Sequence, residues 1–153
     1  MTRSTSTALV PELVVTDIVR SLAFWCGLVG FEVRYDRPEE GFAYLGLGGA
    51  DVMLDEYRPG SRYWLTRPYE PPLGNGMNLQ IEVDAVAPIH DRLAAAGWPL
   101  VMSVEDAWYR RGDEEVGQRQ FVVAEPDGYL LRLAEPLGVR PASTVRYPPF
   151  SSS

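Results

Sequence analysis

Apolar and polar positions alternate along the chain in a pattern that predicts two similar halves. In each half a short strand leads into a stretch with apolar residues at helical spacing, and three further strands follow. The first helix is predicted to begin at Thr16 or Asp17, both good N-cap residues, and to end at Gly30. The predicted strands are residues 8–15, 31–35, 42–47, 51–57, 78–83, 100–104, 119–124 and 129–134, and the predicted helices are residues 17–28 and 85–96.

The two halves also share individual residues at a constant spacing. Asp17, Val19, Leu22, Gly30 and Phe31 recur 67 residues later as Asp84, Val86, Ile89, Gly97 and Trp98. Two copies are too few for a solenoid, which needs about three repeats or more. We therefore predict an α+β fold of two βαβββ modules, whose bare sheet faces curl around a crevice for a small ligand.

Composition divides the chain into five segments. They are a disordered N-terminus (1–7), a first module (8–57), a Pro- and Gly-rich linker (58–76), a second module (77–135) and a Pro/Ser-rich tail (136–153). Because the tail is rich in proline and serine, we expect it to be an arm or disordered.

Charge and cysteine content exclude several classes of protein. With 21 acidic and 14 basic side chains the formal charge is −7, which argues against nucleic acid, because cationic side chains supply most of that affinity. No apolar run approaches the roughly 18 residues of a membrane span, and the N-terminus lacks the apolar segment of a signal peptide. The single cysteine, Cys26, suits a reducing compartment. We expect a cytoplasmic protein without nucleic-acid or membrane partners.

One face of the predicted strands is polar, and we assign it to the floor of the crevice. Period-two alternation places the apolar residues of each strand toward the helices and the polar ones on the other side. The polar set is Glu12, Asp55, Asn78, Gln80, Glu82 and Arg132. This mostly acidic or neutral floor suits a cationic ligand or one with amides. The pattern is also compatible with side chains that face bulk solvent on a one-sided sheet.

Aromatic residues are expected to form the rim of this crevice. They are Phe42, Tyr44, Tyr57, Tyr63, Trp64, Trp108 and Tyr109, with the last two in a loop before the seventh strand. Planar side chains can sandwich a flat heteroaromatic group at low entropic cost. Some of these rings could instead be core or dimer contacts.

Two segments, residues 15–33 and 125–133, resemble the vicinal oxygen chelate superfamily, which includes glyoxalase I, extradiol dioxygenases and bleomycin resistance proteins. The first segment holds an Asp-started helix followed by Gly30 and Phe31, and the second holds a Glu-Pro-Asp-Gly turn. The similarity extends over residues 9–135 and is closest to the bleomycin resistance proteins. It implies an intertwined homodimer, in which the first module of one chain faces the second module of the other.

The resemblance also implies where a metal would be bound. The matching positions are Val10, Asp55, Asn78 (or Met77) and Arg132, and of these only Asp55 is a good ligand. The single histidine, His90, lies on the second helix, so a site with two histidines and a carboxylate cannot be built from one chain. We expect no metal and no other cofactor. The alignment of the two halves that pairs Met53 and Leu54 with Leu130 and Leu131 also pairs Asp55 with Arg132, and we expect a contact between these opposite charges where the metal would lie.

These patterns favour a protein that confers resistance by sequestering a small molecule without chemistry. A bleomycin-like or other cationic or aromatic antibiotic fits an acidic crevice with an aromatic rim. Bleomycin resistance proteins have a Trp-Gly pair before the seventh strand where this chain has Val116 and Gly117, and Trp108 could replace the missing ring. The alternatives are a glyoxalase- or dioxygenase-like enzyme, including a metal-free one with Glu12, Asp55 or Glu82 as the base, and a dimerisation module that binds no ligand.

Overall fold

The computed structural model describes residues 7–143. The predicted disordered N-terminus (1–7), apart from Thr7, and the end of the tail (144–153) lie outside this range. The elements are β1 (Glu12–Val15), α1 (Ile18–Leu22) with a π-helical continuation (Ala23–Val29), β2 (Glu32–Arg37), a 3₁₀ turn (Pro38–Glu40), β3 (Phe42–Leu47), β4 (Ala50–Glu56), β5 (Asn78–Glu82), α2 (Ala87–Ala95), β6 (Met102–Arg111), β7 (Glu114–Ala124) and β8 (Leu130–Pro141). The order of elements confirms two βαβββ modules. No helix in residues 7–143 is long and apolar enough to cross a lipid bilayer.

The first helix begins and ends at the predicted residues. The Asp17 carboxylate accepts hydrogen bonds from the backbone N–H groups of Val19 and Arg20, which satisfies two donors that the first turn leaves unpaired. Gly30 ends the helical stretch with φ of 105°, a left-handed conformation that favours glycine. Ser21, on the same helix, is wholly buried.

Each module forms a four-stranded sheet with the same topology. The strand orders are β1-β4-β3-β2 and β5-β8-β7-β6, and in each sheet the first pair is parallel and the others are antiparallel. Val14 lies opposite Asp55 in the first sheet, and Gln80 lies opposite Arg132 in the second. Asp55 and Arg132 therefore occupy equivalent places in the two modules, as the sequence comparison predicted.

The repeat of 67 residues seen in the sequence is a compromise between two different offsets, one for the strands and one for the helices. In the strands Leu13 corresponds to Leu79, which is an offset of 66 residues. The helices begin at Ile18 and Ala87, which is an offset of 69, so the second module has a longer connection between its first strand and its helix. Asp84 falls in this connection, and Val86 is the N-cap without a side-chain hydrogen bond. The expectation that Asp84 starts the second helix was wrong.

The two modules of one chain share a single hydrophobic core. It joins the helix-facing residues of both sheets with both helical segments, for example Leu45 and Leu54 from the first sheet and Phe121 and Leu133 from the second. Burial of this apolar surface is the main term that stabilises the fold.

A buried acidic turn also joins the modules. Asp127 accepts hydrogen bonds from the backbone N–H and hydroxyl of Thr16, and the Tyr129 hydroxyl donates to the Val14 carbonyl at 3.0 Å. The neighbouring Glu125 carboxylate accepts from the backbone N–H groups of Asp127 and Tyr129. Burial, and then the nearby Asp127, raise the pKa of Glu125 to about 7.

The last three strands are longer than predicted. Residues 105–118, expected to be mainly loop, form a long hairpin of β6 and β7. Strand β8 continues to Pro141, so residues 136–141 of the segment predicted as an arm or disordered tail belong to a strand. The side chains of this extension are largely exposed on both sides, and charged pairs such as Arg119 with Asp106 and Arg140 with Glu115 lie across its strands. The apolar alternation that marks a strand with one buried face is therefore missing.

Candidate functional site

Each sheet has one face that the helices leave uncovered, and we call these the first and second open faces. In β3 and β4 the core residues Ala43, Leu45 and Leu54 alternate with residues outside the core cluster. The same alternation holds in the second sheet, where Ile81 and Leu133 are in the core. Residues of the first open face are Glu12, Val14, Tyr35, Phe42, Tyr44, Asp51, Met53 and Asp55, and residues of the second are Asn78, Gln80, Glu82, Glu105, Tyr109, Gln118, Gln120, Val122 and Arg132.

Aromatic rings cover the centre of the first open face. Tyr35 stacks on Tyr44 with ring centroids 4.9 Å apart and planes 14° apart, and its ring also lies 6.1 Å from Phe42. Phe42 and Tyr44 are each only 7 % exposed, although they lie on the side of the sheet away from the core. Tyr35 is 51 % exposed and therefore offers an aromatic surface to a ligand.

Charged groups hold this aromatic layer at one end. The Tyr44 hydroxyl donates to the Asp51 carboxylate at 2.6 Å, and Thr7 donates to the same carboxylate through its backbone N–H at 3.1 Å. The hydrogen bond to Asp51 raises the pKa of Tyr44 to about 12. Burial alone would raise the pKa of Asp51, but these hydrogen bonds and the Arg34 guanidinium at 3.6 Å outweigh it, so the pKa is lowered. Asp51 is thus a negatively charged anchor for Tyr44 at neutral pH.

Asp55 lies at the other end of the first open face. It pairs in register with Phe42, and the Arg37 guanidinium lies 3.9 Å from the Phe42 ring centroid. Burial, and then the charge of Glu40, raise the pKa of Asp55. No ion pair joins Asp55 to Arg132 within the described part of one chain. The predicted contact between them remains a prediction, which requires a second chain.

The tyrosines of the linker pack on each other. Tyr57 and Tyr69 stack with centroids 4.1 Å apart, and Tyr57 lies 5.2 Å from Tyr63. The Tyr63 hydroxyl accepts from the backbone N–H of Arg58 and donates to the carbonyl of Glu56. These contacts give Tyr57 and Tyr63 a role in ordering the linker.

Trp64, in contrast, is 78 % exposed, and the Arg62 guanidinium lies 4.2 Å from its ring centroid. Neither this contact nor any other in the described residues connects Trp64 to the rings on the first open face. The structure thus separates this member of the predicted rim from Phe42 and Tyr44.

Carboxamides dominate the second open face. Gln118 donates through Nε2 to the side-chain oxygens of Gln80 at 3.2 Å and Gln120 at 2.5 Å. Gln120, which is 2 % exposed, donates in turn to Glu105 at 2.9 Å and to the Tyr109 hydroxyl at 2.7 Å. This chain of hydrogen bonds fixes a polar surface across β5, β7 and β6.

Arg132 lies beside this network without joining it. It is opposite Gln80 in β5 and Val122 in β7, and its buried Nε has no hydrogen-bond partner among the described residues. Asn78 and Glu82 are exposed neighbours along β5. Of the predicted site residues, the second face thus brings together Gln80 and Arg132, with Tyr109 joined to Gln80 through the glutamines.

Trp108 and Tyr109 do not lie in a loop, because both belong to β6. They are adjacent in a strand, so their side chains point to opposite faces. Tyr109 is on the second open face, whereas Trp108 packs on Gly117, where an added Cβ would lie 2.7 Å from the indole ring. The Arg140 guanidinium covers Trp108 at 4.1 Å. The expectation that both rings line one rim was wrong, and Trp108 does not supply a ring on the face of Val116.

The residues at the family's metal positions do not fit a divalent ion. Val10 precedes β1, and the β1 residue opposite Asp55 is Val14. The equivalent place in the second sheet pairs Gln80 with the positively charged Arg132, which would repel a cation. In residues 7–143 no group of three or more His, Cys, Asp or Glu side chains could hold a metal, and His90 lies on α2 against the edge of Phe121.

A cavity of about 270 Å³ lies where the N-terminal segment and the start of β4 approach β5. It is lined by Thr7, Leu9, Pro11, Trp25, Phe31, residues 49–52 and residues 78–81. Among the predicted site residues it includes only Asn78 and Gln80. The cavity is therefore adjacent to one edge of the second open face, and the aromatic centre of the first face lies outside it.

Sequence reasoning missed several residues of the two faces. Tyr35, Asp51, Glu105, Gln118 and Gln120 were not selected, although Tyr35, Asp51 and Gln120 fell within predicted strands. For Gln118 and Gln120 the signal was present, because they alternate with Phe121 and Val123 of the core in period two. The prediction began that strand at residue 119 and so lost half of the pattern.

Comparison with known proteins agrees with this architecture. The profile of the Glyoxalase/Bleomycin resistance protein/Dioxygenase superfamily matches residues 7–133. Bleomycin resistance proteins of Geobacillus stearothermophilus and Staphylococcus aureus are each 26% identical over 132 residues, which is 80% of this chain and 91% of theirs.

Solved structures give the same result. TioX from Micromonospora sp. ML1 is 26% identical with a TM-score of 0.61, and the match covers 86% of this chain and 100% of TioX. A lactoylglutathione lyase from Agrobacterium tumefaciens is 18% identical with a TM-score of 0.53, covering 85% of this chain and 93% of that one, a likeness that shows the fold alone. The chain therefore belongs to the glyoxalase/bleomycin resistance protein/dioxygenase superfamily.

Proposed function

We propose that this protein sequesters a small aromatic molecule, of the bleomycin type or another antibiotic, and thereby confers resistance without changing it. The observation that carries the proposal is the layer of Tyr35, Phe42 and Tyr44 on an open sheet face. An ordered ring with half its surface exposed can stack on a flat group and lose little further freedom. The relatives named bleomycin resistance protein support this class of ligand.

The active unit is a homodimer in this proposal. Within one chain the helices and the core occupy one side of each sheet, and each open face has a single wall. A second chain that places its second open face opposite the first open face would close two crevices. Such an assembly should bury on the order of 2,000 Å² or more, and light scattering that gives a monomer at micromolar concentration would contradict it.

Binding is tested by isothermal titration of bleomycin and of a panel of aromatic cations into the purified protein. We expect at least one compound to bind and to raise the melting temperature, and Tyr35→Ala to weaken that binding. Asp91→Asn, on an exposed helix surface away from both faces, serves as the control. If no compound binds and none changes the melting temperature, a module that only dimerises becomes the better description.

A metal-free enzyme is the second candidate, because burial and Glu40 raise the pKa of Asp55 and a carboxylate with a raised pKa can act as a general base. Mass spectrometry of the compound recovered after long incubation separates the two functions. An unchanged mass and an unchanged chromatographic retention support sequestration. A product that Asp55→Asn fails to form would establish catalysis.

A further inference from the structure

Among the arginines in residues 7–143, only Arg58 and Arg132 are partly buried, and they differ in their surroundings. The Arg58 guanidinium donates to the carbonyl of Glu39 at 2.8 Å and lies 3.7 Å from the Glu56 carboxylate. Arg132 has no ion pair in this part of the chain, and its buried Nε has no hydrogen-bond partner. A partly desolvated cation without a partner is unfavourable for folding, so its place on an open face calls for an explanation.

No carboxylate of residues 7–143 forms an ion pair with Arg132, although the exposed Glu82 lies on the same face, two residues along β5 from Gln80. Glu105 accepts a hydrogen bond from Gln120, and Glu135 lies 3.8 Å from Arg119. Gln80, directly opposite Arg132, accepts from Gln118 through its oxygen. The amide nitrogen of Gln80 donates no hydrogen bond to any of the described residues. The guanidinium and this amide are therefore adjacent donors beside the paired glutamines.

We propose that Arg132 is the recognition residue for an anionic group of the ligand, namely a carboxylate attached to an aromatic or heteroaromatic ring. The planar guanidinium matches the two oxygens of a carboxylate, and the Gln80 amide adds a third donor beside it. Val122 gives the ring an apolar neighbour in the same row of the sheet. The inference rests on the proposed function, and it names ligand chemistry that the acidic composition of the chain did not suggest.

The test compares 2-naphthoate with 2-naphthamide at constant ionic strength, because the two probes share a ring and differ in charge. We expect the protein to bind the naphthoate about tenfold or more tightly than the naphthamide, the difference typical of a charge-assisted hydrogen bond. Arg132→Gln should remove this preference by weakening the naphthoate and leaving the naphthamide within about twofold. Arg67→Gln, an exposed linker arginine, is the control and should retain the preference.

A second measurement uses the free protein. Because Arg132 is desolvated without a partner, Arg132→Gln should melt at the same temperature as the parent protein or higher. If Arg132 instead pairs with Asp55 of a second copy, Arg132→Gln and Asp55→Asn should each lower the melting temperature and weaken the dimer. That result would overturn the inference.

The outcomes separate the inference from the proposed function. If both probes bind with equal affinity and Arg132→Gln changes neither affinity, Arg132 does not recognise the carboxylate. The face then recognises only the aromatic ring, as the proposed function requires. Binding of neither probe, together with no binding in the bleomycin and cation panel, overturns both. A preference for the naphthoate that survives in Arg132→Gln also overturns the role of Arg132, since another group must then hold the carboxylate.

Discussion

The two open faces have the same strand order and different chemistry. The first consists of stacked rings anchored at one end by a charged carboxylate, Asp51. The second is a chain of carboxamides next to the Arg132 guanidinium, whose buried Nε has no hydrogen-bond partner within residues 7–143. Their equivalent positions, Asp55 and Arg132, carry opposite charges. The comparison teaches that the repeated backbone fixes where side chains project from each sheet. The residue types at those positions then decide whether a face is covered by stacked rings or by hydrogen-bonded amides.

The largest expected effect is on stability, and it concerns the buried turn of Glu125 and Asp127, which connects the two modules and so holds the two faces in place. The folded protein binds the Glu125 proton more tightly than the unfolded chain does, because the pKa rises from 4.5 to about 7. The contribution of Glu125 to the free energy of unfolding is therefore fully present below about pH 4.5, and about 3 kcal/mol of it is lost as the pH rises through about 7. Urea unfolding at pH 5 and pH 8 measures this change.

Glu125→Gln cannot titrate, so its stability should depend less on pH over the same range. Asp91→Asn, which alters an exposed carboxylate, should keep the parent dependence. An equal fall in Glu125→Gln and the parent would show that another group is responsible.

The next prediction asks how much each ring of the first open face contributes to stability. Tyr44→Ala removes a largely buried ring and its hydrogen bond to Asp51, and should cost about 3 kcal/mol of unfolding free energy. Tyr44→Phe keeps the ring and should cost about 1 kcal/mol. Tyr35→Ala, which removes a half-exposed ring, should cost about 1 kcal/mol while it weakens ligand binding more. Denaturant titration of the three variants would contradict this order if Tyr35→Ala were the most damaging.

The second face should be less sensitive. Gln120→Leu leaves Glu105 and Tyr109 without their partner, but both are exposed and can bond to water, so we expect a loss of about 1–2 kcal/mol. Gln118→Leu, at a less buried position in the same network, should cost less than about 1 kcal/mol. If both variants were as damaging as Tyr44→Ala, the two faces would not differ in the way the contacts indicate.

The smallest effect belongs to Trp64. Its side chain is 78 % exposed, so Trp64→Ala should change the unfolding free energy by less than about 0.5 kcal/mol. Trp108→Ala exposes the surface over Gly117 and removes the contact with Arg140, and should cost about 1 kcal/mol. Thermal melts of the two variants decide the order. Equal and large losses would mean that Trp64 has contacts beyond its stacking on Arg62.

The fold was predictable because its signals are local. Asp17 and Gly30 mark the first helix, and alternation of core and open-face residues marks β3, which was predicted at its observed bounds. The long hairpin of β6 and β7 was not predictable in this way, because its outer half has neither face buried in the core.

The site was predictable only in part. The sequence placed Asp55 and Arg132 at equivalent positions and identified Gln80, because strand period alone decides these. The side-chain contacts were not predictable. The stack of Tyr35 on Tyr44 depends on how their strands pair. Trp108 belongs to a strand that was predicted to be a loop, and in that strand it faces away from Tyr109.

The opposite charges of Asp55 and Arg132 show what two modules in one chain allow that two identical separate modules do not. In a symmetric pair of identical single modules, a charge near the twofold axis would face the same charge on the other copy, which is unfavourable. Duplication of the module within one gene removes that restriction, because the two copies of a position then mutate separately. A chain with two modules can therefore carry an acid at one position and a base at its equivalent, as it does with Asp55 and Arg132, without placing like charges opposite each other.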